Sequence, residues 1–341
     1  MLFCALSPLH YFFVYPSPGR PAHYNVRMTV PPQVDLVGVG LNATDTLITL
    51  PSYPARGCKV EYSSRTVLPG GQAATTVVAC QTWGLSTRYV GKLGEDEAAQ
   101  LHRDAFARAG VDARIVTVPG AHSLQNLIMV DEGERTVLCQ RDESMVLQPE
   151  ELHREWIVTA RALHLDGRDT AAATLAARWA REAGIPVVAD LDEIYPGVED
   201  LIELIDYLIV SRDFPCRLMA DRNLESALRR IQRRFGCRLA AATLGEDGVL
   251  AWDGRHMLHR PAYRVPVVDS TGAGDIFHAG FIYGLLQDWP LERQLDFSCA
   301  AAAVNCMFSG ARGGIRPTQA IEDLMSTAAR YQPVFDLPAA D

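Results

Sequence analysis

The chain has 341 residues, of which 48% are hydrophobic and 21% charged, and its formal net charge is −9. That much apolar material can build a large core and argues against a chain disordered throughout. The acidic balance and the lack of a long basic run argue against nucleic acid or an anionic membrane as partner, so any bound anion must be held by local groups. The eight cysteines are scattered without a Cys-x-x-Cys pair and read as reduced core residues of a cytoplasmic protein, not as a disulfide or zinc framework.

In chain order, residues 1–27 stand apart. Pro8 and His10 interrupt the apolar start, no basic region precedes it, and Pro16, Pro18 and Pro21 oppose regular structure, so this stretch is expected to be a disordered extension, not a secretory signal. No apolar run approaches the ~20 residues of a membrane-spanning helix. A buried strand is expected at 34–40, short strands across 46–68 broken by Pro51, Pro54 and Gly57, a helix at 73–83, a strand at 88–91 and an amphipathic helix at 95–109 ending at Gly110. Two strand-like runs, 114–118 and 124–130, lead through a turn at 131–134 into 135–139. Strands at 162–165, 187–189, 207–210 and 239–243 then alternate with helices at 170–183, 198–205 and 224–235. A β-branched run at 265–268 precedes three closing helices, 274–287, 291–308 and 318–331. This alternation predicts one α/β domain over 28–331 with a mostly parallel sheet covered on both faces, and a tail at 332–341. The strand-rich segments around 46–68 and 114–140 suit a small β lid over the sheet's carboxyl edge, where such sheets bind ligands.

Two familiar motifs are excluded. Gly38-Val39-Gly40-Leu41-Asn42-Ala43 fits a dinucleotide-binding pattern, but the prolines that follow do not open a helix. Gly91-Lys92-Leu93 lacks the glycine spacing and the hydroxyl residue of a phosphate-binding P-loop.

The informative stretch runs from Val268 to Phe281. Gly272 and Gly274 allow a tight turn into an apolar helix, and amides at such a turn, backed by a helix N-terminus, form an anion-binding concavity. A carboxylate on its rim, Asp275, is poorly chosen for binding alone. It makes sense where a proton must leave a hydroxyl while charge moves among phosphate oxygens, as in phosphoryl transfer with Asp275 as base. Taken alone, a Gly-x-Gly-Asp turn with a first-turn acid would fit an ordinary strand-to-helix junction equally well. Gly70-Gly71, before the helix at 73–83, form a second such turn, able to bring helix amides to a polar ligand.

The string Asp269-Ser270-Thr271-Gly272-Ala273-Gly274-Asp275 resembles the second signature of the ribokinase, or PfkB, family of carbohydrate kinases, Asp-Thr-x-Gly-Ala-Gly-Asp, with Ser270 keeping the hydroxyl at the second place. Gly70-Gly71-Gln72-Ala73-Ala74-Thr75 is similar to the first signature, with Gln72 and Thr75 where Asn is common. The resemblance spans about 34–316 and implies a ribokinase-like fold with helices on both faces of the sheet and a β lid. It implies ATP with Mg²⁺ as donor and the primary hydroxyl of a small ketose or ribose-like sugar as acceptor. Asp275 would be the base, and the amides of Gly272, Ala273 and Gly274 would steady the transferred group. Asn42, Asp45, Gly70, Gly71 and Gln72 would hold the sugar, although Asp45 alone would suit a turn or cap equally well. Gln125 and Arg168 would join them, Arg168 toward an anionic group. Thr243, Gly245, Gly248, Thr271 and Asn305 would meet the nucleotide, with Asn305 lining the adenine pocket. Asp269, Thr271 and Gly310 would hold a monovalent cation such as K⁺. Apart from the resemblance, exposed edge strands of the lid suit a homodimer through paired lids.

One departure stands out. Where the family has Asn-x-x-Glu, linked to magnesium and phosphate, this chain reads Ser211-Arg212-Asp213-Phe214. The segment His164 to Arg168 resembles the ketohexokinase branch, and Gln125, Phe277-His278 and Gly313-Gly314-Ile315 resemble the sulfofructose kinase branch. The alternatives are a nucleoside or keto-sugar-acid kinase, or a catalytically silent relative serving in binding or assembly.

Overall fold

A computed structural model describes residues 32–131, 134–140, 142–333 and 335. The expected extension at 1–27 and most of the 332–341 tail lie outside these residues. Apolar runs too short for helices become strands wherever a partner covers both faces. The chain begins β1 (Val34–Val39), β2 (Ala43–Thr49), β3 (Ser64–Gly70), α1 (Gln72–Thr82), β4 (Thr87–Leu93), α2 (Glu97–Ala109) and β5 (Asp112–Thr117). It continues with β6 (Gln125–Asp131), β7 (Glu134–Cys139), α3 (Arg154–Val158), β8 (Ala160–Leu165), α4 (Thr170–Glu182), β9 (Val187–Leu191), α5 (Val198–Ile202) and β10 (Tyr207–Ser211). It closes with α6 (Phe214–Met219), α7 (Leu224–Phe235), β11 (Leu239–Thr243), β12 (Val249–Trp252), β13 (Met257–Arg260), α8 (Ala273–Leu286), α9 (Leu291–Cys306) and α10 (Thr318–Thr327).

The main sheet has nine strands in the order β13-β12-β11-β10-β9-β8-β1-β4-β5. Strands β11 through β5 are parallel, and the hairpin β12–β13 adds an antiparallel edge. Alanines and branched residues of α3, α4, α5, α6 and α7 cover one face. Helices α1, α8 and α9, with Phe106 of α2 and Ile321 of α10, cover the other. A separate four-stranded sheet, β3-β2-β6-β7, stands beyond the carboxyl edge.

Three expectations need correction. Residues 114–118, assigned to the lid, belong to β5 at the edge of the main sheet, where Asp112–Thr117 pair in register with Arg88–Leu93 and Arg88 Nε meets Asp112 at 2.7 Å. An edge strand is covered on one side only, so its alternating pattern mimics a lid strand. The β-branched run 265–268 is not a strand: Pro266 removes a donor, and Val267 and Val268 are exposed. Helix α10 stops at Thr327, four residues short of the expected end, and Arg330 returns to pair with Tyr263. Among the described cysteines Cys80, Cys237 and Cys299 are buried and Cys58 and Cys139 exposed, all free.

Candidate active site

From β1 the chain crosses to β4 and from its other neighbour β8 to β9, so the connections leave these two strands in opposite directions and open a crevice at their carboxyl ends. Asp166, buried just past β8, organises the crevice. Its Oδ2 accepts from Leu41 N at 2.5 Å and Ala73 N at 3.4 Å, and its Oδ1 from Arg168 N at 3.1 Å. It thus ties the β1–β2 turn to the start of α1. Burial pushes its carboxyl up to about 6, against the pull of these amides. Gly71, at φ 92°, passes beneath that turn, where a Cβ would lie 2.6 Å from the Leu41 carbonyl oxygen.

Asp45 stands on β2, buried, with Oδ1 accepting from Asn126 Nδ2 at 2.9 Å. A Cβ at Gly70 would sit 2.0 Å from its Oδ2. Glycine therefore makes the room in which this carboxylate lies. Burial raises the Asp45 carboxyl, and the charges of Arg312 and Arg135 pull it back. Arg312 donates from Nη2 to the Gly70 carbonyl at 2.9 Å and from Nε to Thr75 Oγ1 at 3.3 Å, while its buried Nη1 has no acceptor among the described residues. Its charge also bears on Asp275.

Asp275 lies in the first turn of α8, half-buried. Gly272, in the left-handed region at φ 77°, begins the helix, and a Cβ there would strike the Ala311 carbonyl oxygen at 2.5 Å. Ala273 N donates to Ser270 O and Ile276 N to Gly272 O, and no side chain caps the helix. Among the described residues nothing accepts from the Gly274 and Asp275 N–H groups, and a Cβ at Gly274 would meet nothing within 4 Å. Free amides, open space and a carboxylate therefore converge at one helix end. Burial first, then the charge of Asp190, pushes Asp275 up to about 7, while His278 and Arg135 pull it down; the Asp45 charge is felt there too. A base so placed is half-deprotonated near neutral pH.

Several expected contacts fall elsewhere. Asn42 is buried, and its NH₂ donates to the Tyr89 hydroxyl and to the Lys92 carbonyl at 2.9 Å, so its donors hold the β1–β2 turn. Side chains alternate along a strand, and Gln125 pairs across from Thr44 while Asn126 pairs with Asp45. Gln125 thus faces the outer side of the lid, in a cavity it lines with Thr46 and Leu138, and Asn126 takes the place expected for it. Gln72 hydrogen-bonds Asp192, and Arg168 neighbours Asp192 and Asp169, whereas the arginine charges that reach Asp45 are those of Arg312 and Arg135. Asn305 is fully buried; its amide donates to Thr271 O at 3.0 Å and accepts from Gly314 N at 3.0 Å, bracing two loops. Asp269 also joins them, accepting from Thr271 N and Gly310 N, each at 2.8 Å. Thr243 ends β11 and leads through exposed Gly245 to Gly248, at φ 84°, whose Cβ would strike Arg260 O at 1.9 Å. Arg212, in the segment that lacks the Asn-x-x-Glu pattern, binds the Leu244 carbonyl and Asp247 at the same turn. Asp166, Asp190, Asn126, His278 and Arg312 are the residues that reasoning from sequence passed over as site members. Only partners distant in sequence distinguish them from ordinary polar residues.

Residues 39–319 match the pfkB carbohydrate kinase family. The chain belongs to that family. Among relatives of this pfkB kinase, the ATP-dependent ribose-1-phosphate kinase of Halopiger xanaduensis is 30% identical over 283 residues, covering 79% of this chain and 90% of that protein. The aminoimidazole riboside kinase of Salmonella typhimurium is 31% identical over 236 residues, covering 64% and 73%. The ribokinase structure from Thermotoga maritima superposes with a TM-score of 0.73 at 21% identity, covering 86% of this chain and 100% of that one, so it speaks for the ribokinase-like fold. None of these three is named for a ketohexokinase or a sulfofructose kinase. Among the described residues no helix is long and apolar enough to cross a membrane.

Proposed function

We propose that this pfkB kinase transfers the γ-phosphate of ATP to a primary hydroxyl of a small ribose-like sugar, with Asp275 as general base. The observation that carries the reading is the Asp275 carboxyl beside the unpartnered Gly274 and Asp275 amides, within electrostatic reach of Asp45. Asp45 would accept hydrogen bonds from sugar hydroxyls on its free Oδ2 side, and Arg312 would keep the Gly70–Gly71 turn in place. The phosphates would lie between the turn at Thr243–Gly248 and the start of α8. Asp275 would take the hydroxyl proton as the oxygen attacks phosphorus, and the helix amides would stabilise the charge on the PO₃ group in flight. Support for a ribosyl acceptor comes from the two relatives above, named for ribose 1-phosphate and for a riboside.

No cluster of three or more acidic, His or Cys side chains among the described residues is arranged for a metal. Mg²⁺ is therefore read as arriving on the nucleotide, as part of the substrate. Thr271 Oγ1 is buried without a partner among the described residues, beside the Asp269 carboxylate, an oxygen set that fits K⁺. Such an ion would add a fixed positive charge behind the anion hole. The outer face of the lid exposes Val67 and Leu138, which supports a homodimer paired through it.

The test is coupled ADP release with MgATP over ribose, ribose 1-phosphate, aminoimidazole riboside, adenosine, fructose, sulfofructose and keto-deoxy sugar acids. Turnover highest with a ribosyl compound supports the reading. Turnover confined to a ketose or a sugar acid would reassign the acceptor, and none above the ATPase background would favour the silent relative.

A further inference from the structure

Behind Asp275 lies a buried polar group that the reaction just described does not use. His278, one turn along α8, is 1% exposed. Its Nδ1 is 2.8 Å from the Gly274 carbonyl oxygen and 3.3 Å from Asp190 Oδ2. Its Nε2 is 3.1 Å from the Ile209 carbonyl oxygen on β10. A neutral imidazole carries one N–H and one lone pair, so it would turn that lone pair toward a carbonyl. With a second proton the ring donates to both carbonyls, and Asp190, itself buried on β9, supplies the countercharge. Burial pushes His278 down, and burial with the charges of Asp192 and Asp166 pushes Asp190 up. The two carbonyl acceptors and the facing opposite charge favour the ion pair, and that is the state the geometry selects.

We propose that Asp190 and His278 form a positioning pair behind the base: the doubly protonated ring holds the Gly274 carbonyl, and the two opposite charges set how readily Asp275 releases its proton. The pair stands where it can do both. The carbonyl it grips belongs to the peptide whose N–H, that of Asp275, has no acceptor among the described residues. Gripping one end of that peptide fixes the direction of the other. Asp190 on β9 raises the Asp275 carboxyl, and His278 on α8 lowers it. The other charges facing Asp275 are Asp45 on β2, Arg135 on β7 and Arg312 in the 310–314 loop. Asp192 and Asp166 bear on Asp190, and His164 on β8 lies 5.7 Å from His278, ring to ring.

The inference rests on Asp275 being the base, and the two can fail separately. If Asp275 is not the base, Asp275→Asn retains turnover. If only the pair is misread, Asp275→Asn is inactive and the following variants leave the pH profile unmoved. The measurement is the acid limb of kcat/KM against pH, with MgATP and the acceptor found in the sugar panel. Asp190→Asn removes a negative neighbour and should lower the limb by about one pH unit. His278→Asn keeps a donor for the Gly274 carbonyl but removes the positive charge, and should raise it by about as much. A side chain that merely packs would not move the limb in opposite directions from its two ends. Limbs that stay at the wild-type position, or move in the same direction, overturn the proposal. Should a variant fold poorly, the wild-type protein decides through its ¹⁵N-histidine spectrum. Two protonated ring nitrogens at His278 near neutral pH support the pair, and a single protonated nitrogen overturns it.

Discussion

Asp275 and Asp45, the two carboxylates of the site, stand on halves of the molecule that are built differently. Asp275 belongs to a helix gripped on several sides. Thr76 Oγ1 of α1 donates to its carbonyl at 3.1 Å, Cys80 Sγ lies 3.6 Å from Ala279 O, and a Cβ at Gly280 would meet Ser298 Cα of α9 at 2.8 Å. Asp45 belongs to a four-stranded sheet that buries Leu47 and Ile128 on one face and leaves Val67 and Leu138 exposed on the other. A sheet covered on one face has fewer buried contacts to lose when it opens. The group that moves the proton is thus held by the core, and the group that recognises the acceptor rides on the part best able to open and close.

That contrast can be broken at either half. The largest effect on acceptor recognition is expected at Asp45→Ala, which removes the carboxylate that would accept sugar hydroxyls. Hydrogen bonds to a charged group are worth about 1.5–3 kcal/mol each, so kcat/KM should fall by roughly 10²-fold or more while ATP binding stays. Steady-state kinetics with both substrates varied would check this; an unchanged KM for the sugar would remove Asp45 from the acceptor site. Gly274→Ala should separate stability from function on the other half. A methyl there meets no protein atom within 4 Å, and alanine is the better helix former, so the melting temperature should hold or rise. The methyl would occupy the space assigned to the transferred phosphate, and turnover should drop by about 10-fold or more. Turnover kept at the wild-type level would move the phosphate elsewhere.

The smallest effect concerns pH. Asp166 is raised to about 6, Asp169 and Asp275 to about 7, each chiefly by burial. A carboxyl whose pKa is raised on folding binds more protons folded than unfolded between about pH 4 and pH 7. The stability these groups contribute is therefore full at the low end of that window and lost as pH rises through it. The ligand-free protein should melt at least about 2 °C higher at pH 5.5 than at pH 8, by calorimetry. The opposite order would mean that these carboxylates are not buried as described.

The same two halves were unequally legible in the sequence. Strands β1, β8, β9, β10 and β11 are short apolar runs between helical patterns, and local spacing reveals them. The turn at Gly272–Asp275 is local as well, since glycines, helix start and acid are contiguous. The lid was legible only in outline, because β5 and β6 have similar alternation and only pairing tells them apart. Gln125 and Asn126 are neighbours of similar chemistry, and the strand pleat alone decides which of them meets Asp45. Asn42 and Asn305 are polar residues at the expected places, yet both are spent on holding loops. Asp190 and His278 lie 88 positions apart in the numbering and meet only because α8 packs across the sheet.

The most direct test of the account is turnover by Asp275→Asn, measured beside ATP affinity and melting temperature. The account predicts a loss of about 10²–10⁴-fold in kcat, with nucleotide binding intact and a fold at least as stable as the wild type, since a half-buried carboxyl is removed. Turnover within a few-fold of the wild type in a folded, ATP-binding variant would contradict it.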